Sequence, residues 1–122
     1  MELTIIPQDF SVCKVSDYSG VNLEDPWIFT GSTDQEKSLV CPTSRVPENT
    51  TSREDGWRAF RIVGVLDFSL VGILGPIADA LSEARIGIFA VSTFNTDYVL
   101  VKADCYDRAM TVLAGKGYTV VG

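Results

Sequence analysis

Between Arg58 and Val101 the spacing of apolar residues changes twice, from a period of two to steps of three and four and back again. Phe60 and Ile62 alternate with Arg61 and Val63, which predicts a strand over Trp57–Val65 with one pair on each face. Ile73, Ile77, Leu81 and Ala84 form a single stripe and predict a helix over Ile73–Ile86. Pro76 then belongs in or near the first turn, and Gly87 suits the left-handed residue that ends the helix. Ile88–Thr93 and Tyr98–Lys102 predict two strands around a turn at 95–97. Asp104 as an N-cap, Asp107 in the first turn and the stripe Tyr106, Met110 and Leu113 predict a second helix, closed by Gly115 or Gly117. Tyr118–Val121 predicts the last strand. The order β-α-β-β-α-β specifies an α+β, ferredoxin-like unit: a four-stranded antiparallel sheet with both helices on one face. Its expected core includes Phe60, Ile62, Ile77, Leu81, Val91 and Leu100.

The residues before Arg58 predict shorter elements. Leu3–Ile6 is a strand stopped by Pro7, and Phe10–Val15 alternates as a second strand. Trp27–Thr30 and Ser38–Cys41 are strands around a polar turn at 31–37, and Pro42–Asp55 reads as a connector. Ile28–Thr33 (IFTGST) and Ile88–Thr93 (IFAVST) share Ile, Phe, Ser and Thr at an offset of 60 residues. The same offset pairs Leu39 with Val99 and Val40 with Leu100. The first half therefore reads as a reduced copy of the second, with its helices shortened or lost, and the chain divides into 1–56 and 57–122. Trp27 and Trp57 are expected to start strands and to pack the halves or a dimer face.

Composition narrows the chemistry. The 122 residues are 46% hydrophobic and 21% charged, which are the values of a folded domain. No apolar run approaches the ~20 residues of a membrane helix, so no membrane association is expected. The net charge is −6 and the pI about 4.4, which repels phosphate backbones and argues against nucleic acid. There is no histidine, so the commonest general base and metal ligand is missing; no catalytic residue, metal or cofactor is expected. Cys13, Cys41 and Cys105 form no close pair, and no secretory signal opens the chain, so reduced thiols in the cytoplasm are expected. An enzyme on this fold, such as an acylphosphatase-like hydrolase, would want a basic anion cradle. The loop from Val65 to Val71 is instead acidic and apolar.

At Asp67–Ile73 (DFSLVGI) and Val91–Val101 (VSTFNTDYVLV) the sequence resembles the ACT-domain family. It looks closest to small ACT proteins grouped with Castor-type arginine sensors and aspartokinase regulatory domains. The likeness covers about 57–121, with 1–56 as a reduced ACT-like repeat. It implies a non-catalytic regulatory protein, a homodimer that holds a small molecule, an amino acid, at an ACT–ACT interface. The alternative is a dimerisation or protein-interaction module with no small-molecule ligand. The implied binding loop is Asp67, Phe68, Ser69, Leu70, Val71, Gly72 and Ile73. The implied facing strand-turn is Ser92, Thr93, Phe94, Asn95, Thr96 and Asp97. Gly72 would let backbone approach a ligand carboxylate at the helix start. Asp67 or Asp97 would pair with an ammonium or basic group. The bland readings stand beside these: a tight turn at Gly72, turn aspartates at 67 and 97, and a capping role for Ser69.

Overall fold

The computed structural model describes residues 1–63 and 72–122. Within these residues, seven strands and two α-helices follow one another: β1 (Glu2–Val15), β2 (Phe29–Ser32), β3 (Lys37–Pro42), β4 (Thr50–Ile62), α1 (Leu74–Glu83), β5 (Phe89–Ser92), β6 (Asp97–Lys102), α2 (Tyr106–Gly115) and β7 (Thr119–Val121). They form two compact units, one of residues 1–7 with 58–122 and the other of residues 8–57. The division expected at 56/57 placed the first seven residues in the first half; they group with the second.

The larger unit is the βαββαβ module with one addition. Its strands run β1-β4-β6-β5, and β7 pairs with β1. The start of β1 lies parallel to β7, Glu2 opposite Thr119 and Leu3 opposite Val120, while the Val63 amide donates to the Glu2 carbonyl at 3.0 Å. An amino-terminal strand therefore enters the expected four-stranded sheet between its first and last strands. Leu3–Ile6 does not stop at Pro7 either: β1 is continuous through it. Proline has no amide hydrogen to give a neighbour, and here it is exposed and falls between the residues registered with β7 (2–4) and those registered with β3 (10–14).

Phe60 and Ile62 of β4, Val99 and Val101 of β6, and Leu3 of β1 pack with Ile77, Ala80 and Leu81 of α1 and with Ala109 and Leu113 of α2. Each fully buried aliphatic side chain contributes roughly 1.5–3 kcal/mol of transfer free energy. Five of the six expected core residues are fully buried; Val91 is only partly so, because it is registered with Tyr98 on the face away from the helices, on an edge strand with a single neighbour. The first turn of α1 holds Pro76, as the pattern requires. Its end differs from the expectation. Arg85, with φ of 60°, takes the left-handed position, and Gly87 does not. The Ile86 amide reaches the Leu81 carbonyl at 2.9 Å and the Arg85 amide reaches Ser82 at 2.9 Å, a Schellman closure completed by apolar Leu81 and Ile86. Helix α2 ends in the same way at Gly117, with φ of 98°. Its N-cap is Cys105; Asp104 lies one residue earlier, in a 3₁₀ turn at Ala103–Cys105.

The smaller unit repeats the hairpin of the larger. Phe29 pairs with Val40 and Ser32 with Lys37; sixty residues later Phe89 pairs with Leu100 and Ser92 with Asp97. The 3₁₀ turn after β3 (Thr43–Arg45) recurs after β6 at the same offset. Strand order here is β2-β3-β1-β4, and no helix is present among these residues. Loops take the place of the helices. Tyr18, Val21, Ile28 and Val46 cover Cys13, Val15, Leu39 and Cys41. The loops meet closely: a Cβ on Gly20 would lie 2.8 Å from Pro47 Cβ, so only glycine fits there. Burial pushes the Cys41 thiol up to about 12 and raises Cys13 as well, and both stay protonated thiols. Two elements differ from their predicted form. Trp27 sits in a turn before β2, with φ of 61°, and the connector predicted over 42–55 becomes strand from Thr50 onward. Trp57 thus lies inside β4, not at its start.

The β5–β6 turn is anchored to β4 by one side chain. Thr96 is 7% exposed, and its hydroxyl donates to the Ile62 carbonyl at 2.8 Å. Thr96→Val keeps the shape and leaves that buried carbonyl without its donor; urea unfolding should show a loss of about 1–3 kcal/mol. In the opposite direction, the left-handed region costs a non-glycine residue roughly 1–2 kcal/mol. After glycine's greater chain entropy is counted, Arg85→Gly should raise stability by about 0.5–1 kcal/mol in the same assay.

Candidate functional site

The described chain resumes at Gly72, with φ of 72°, a conformation glycine adopts without penalty. A Cβ there meets nothing within 4 Å among the described residues, so glycine serves the backbone angle at this point. Ile73 is the N-cap residue of α1 and makes no side-chain capping bond; its side chain packs on the core. The first amides of α1 are thus uncapped by any side chain at that position, which suits an incoming carboxylate. Asp67, Phe68, Ser69, Leu70 and Val71, the rest of the expected loop, lie outside the described residues.

The strand-turn expected to face that loop divides by the pleat. Ser92 and Asp97 are registered partners, and the Ser92 hydroxyl donates to Asp97 Oδ1 at 2.6 Å. Alternation along β6 puts Asp97 on the face of Val99 and Val101, the face that α1 and α2 cover. Asp97 is half-buried there and offers a carboxylate held by one hydroxyl. Thr93 shapes the turn: its hydroxyl donates to the Thr96 carbonyl at 2.9 Å and its amide reaches the same oxygen at 2.9 Å. Thr33 and Glu36 make the same amide contact in the smaller unit, so this is turn chemistry common to both hairpins. The Thr96 hydroxyl is committed to Ile62. Phe94, at the tip, is 77% exposed, and Asn95 beside it is exposed.

Tyr98, one residue on from Asp97, belongs to the other face of β6. There a cleft of about 270 Å³ opens at the end of β4, where Arg61, Val63 and Tyr98 meet Thr4 of β1 and the turn residues Thr93 and Asn95. Arg61 Nη1 donates to the Tyr98 hydroxyl at 3.3 Å. The expected residues therefore fall into two groups. Ser92 and Asp97 lie on the helix-covered face, while Thr93, Asn95 and Thr96 line the cleft on the way round to the other. Arg61, Tyr98 and Thr4 were not among the expected site residues. The one signal for them in the sequence is that Arg61 alternates with the core residues Phe60 and Ile62, which sends it to the opposite face.

Among the described residues no group of three or more His, Cys, Asp or Glu side chains could hold a metal ion, and no helix is long and apolar enough to cross a membrane.

Comparison with known proteins gives one consistent kinship. Residues 52–115, just over half the chain, match the family model of the ACT domain. Over 65 residues the chain is 40% identical to the cytosolic arginine sensor for mTORC1 subunit 1 of Homo sapiens, and to the same degree to that of Bos taurus. That stretch is 52% of this chain and 20% of those proteins, so the match spans about a fifth of their length. A solved structure from Agrobacterium tumefaciens aligns over 98% of this chain and 91% of its own, with a TM-score of 0.85 at 28% identity. The ligand-free regulatory subunit of aspartate kinase from Thermus thermophilus aligns over 93% of this chain and 95% of its own, with a TM-score of 0.64 at 10% identity, a likeness of fold. By the family model, the chain belongs to the ACT-domain family.

Proposed function

We propose that the protein is a non-catalytic regulatory ACT protein that binds an amino acid at an ACT–ACT interface of a cytoplasmic homodimer. Residues 57–122 act as the ACT domain and 1–56 as its reduced partner. The observation that carries this reading is the 40% identity to a protein named as an arginine sensor, within a family match over 52–115. The geometry supports it on chemical grounds. Asp97 is a half-buried carboxylate oriented by Ser92, suited to a ligand's ammonium or basic group. Gly72 and the start of α1, where Ile73 supplies no side-chain cap, suit its carboxylate. Binding would act through a difference in affinity between two pairings of the domains. Gly72, Ile73, Ser92, Thr93, Phe94, Asn95, Thr96 and Asp97 form the described part of this proposed site, continued by 67–71.

A thermal-shift panel of the twenty amino acids, arginine among them, tests the reading. A ligand at ~100 times its dissociation constant adds about 2.7 kcal/mol, a rise of several degrees. One clear hit that disappears in Asp97→Ala, with the variant still folded, is the expected result. A flat panel overturns it in favour of a protein-interaction module without a small-molecule ligand.

A further inference from the structure

The cleft behind β6 has a chemistry of its own. Among the described residues that line it, Arg61 is the only charged one, in a chain whose net charge is −6. Guanidinium carries five N–H donors. Among the described residues Arg61 makes one hydrogen bond, to Tyr98, and no ion pair. It is half-buried, so its charge is partly removed from water, and no described carboxylate pairs with it. The walls around it carry the hydroxyls of Thr4 and Tyr98 and the amide of Asn95, while the Thr93 hydroxyl is committed to the Thr96 carbonyl. A planar fork of donors, flanked by hydroxyls and open to solvent, matches an oxyanion in shape as well as charge.

We propose that this cleft binds a small oxyanion, a carboxylate or a phosphate group, with Arg61 as its charged donor and Tyr98 as the residue that orients Arg61. The site goes beyond the amino-acid reading. It shares the turn residues Thr93, Asn95 and Thr96 with that proposed site, but its charged donor, Arg61, lies on the face opposite Asp97, and its occupancy does not depend on that reading. Tyr98 holds Nη1 of the guanidinium and leaves the remaining donors for a bidentate contact. The Thr96–Ile62 bond fixes the turn that carries Thr93 and Asn95, so one wall of the cleft is rigidly set before any anion arrives.

The test is ¹⁵N-resolved NMR of the full chain titrated with sodium acetate and with sodium phosphate, against sodium chloride at matched ionic strength. The expected result is a saturable shift of the Arg61 Nε–Hε signal and of the Val63 and Asn95 amides with acetate, phosphate or both, and not with chloride. Acetate alone would assign a carboxylate, phosphate alone a phosphate group. Arg61→Gln should weaken binding about tenfold or more, and Arg61→Lys, which keeps the charge and loses the fork, by less. No saturable shift in the unmodified protein, an equal response to chloride, or an unchanged half-saturation in folded Arg61→Gln overturns the proposal. Each of these can occur while the amino-acid panel still gives a hit that Asp97→Ala abolishes, so the two readings fail separately.

Discussion

Burial of Phe60 and Ile62 of β4 with Val99 and Val101 of β6 under the two helices is the contact on which the ACT unit depends. Those four residues fix which face of each strand is dry. The pleat then fixes everything else on those strands. Asp97 follows Val99 and Val101 to the helix-covered face, while Arg61 and Tyr98 are sent to the other. A one-residue slip of β4 would place Arg61 in the core and Phe60 on the cleft face, and a slip of β6 would exchange Asp97 and Tyr98. The candidate chemistry is therefore a consequence of core register, and the site residues have no freedom of placement apart from it.

The two hairpins show how far the same local code carries. β2–β3 and β5–β6 share strand lengths, pairings and the 3₁₀ turn that follows. They part where the sequence parts. Tyr106 begins a helix in the larger unit, whereas Val46 and Pro47 lead the smaller one into strand β4. Where helices are missing, Tyr18, Val21, Ile28 and Val46 still cover the sheet. Loops can replace a helix as a lid because burial is non-directional, provided that their backbones approach closely, as at Gly20.

Much of this was legible in the sequence, since periodicity reports which face is buried. The helix stripe, the hairpin repeat and the presence of a turn follow from spacing, though the turn expected at 95–97 lies at 93–96. Three things did not. The insertion of β1 beside β7 pairs residues more than a hundred positions apart, and nothing local in Glu2–Thr4 names its partner. The closure of α1 uses Arg85 in a position that composition assigns to glycine, because the Leu81–Ile86 contact holds it there. The cleft needs Arg61, Tyr98 and Thr4 from three strands, and single-strand alternation gives their faces without their neighbours. The expected site residues lie on one hairpin, where spacing is informative; a cleft assembled across the sheet is beyond the reach of spacing.

An amino acid held by the strand-turn at 92–97 and the start of α1, as we propose, would protect both segments from opening. Amide hydrogen exchange with and without a saturating mixture of L-amino acids tests it most directly, since exchange reports local opening segment by segment. The expected result is slowed exchange at 92–97 and 72–77, with the smaller unit unchanged. Unaltered exchange throughout, or protection confined to residues 8–57, would contradict it.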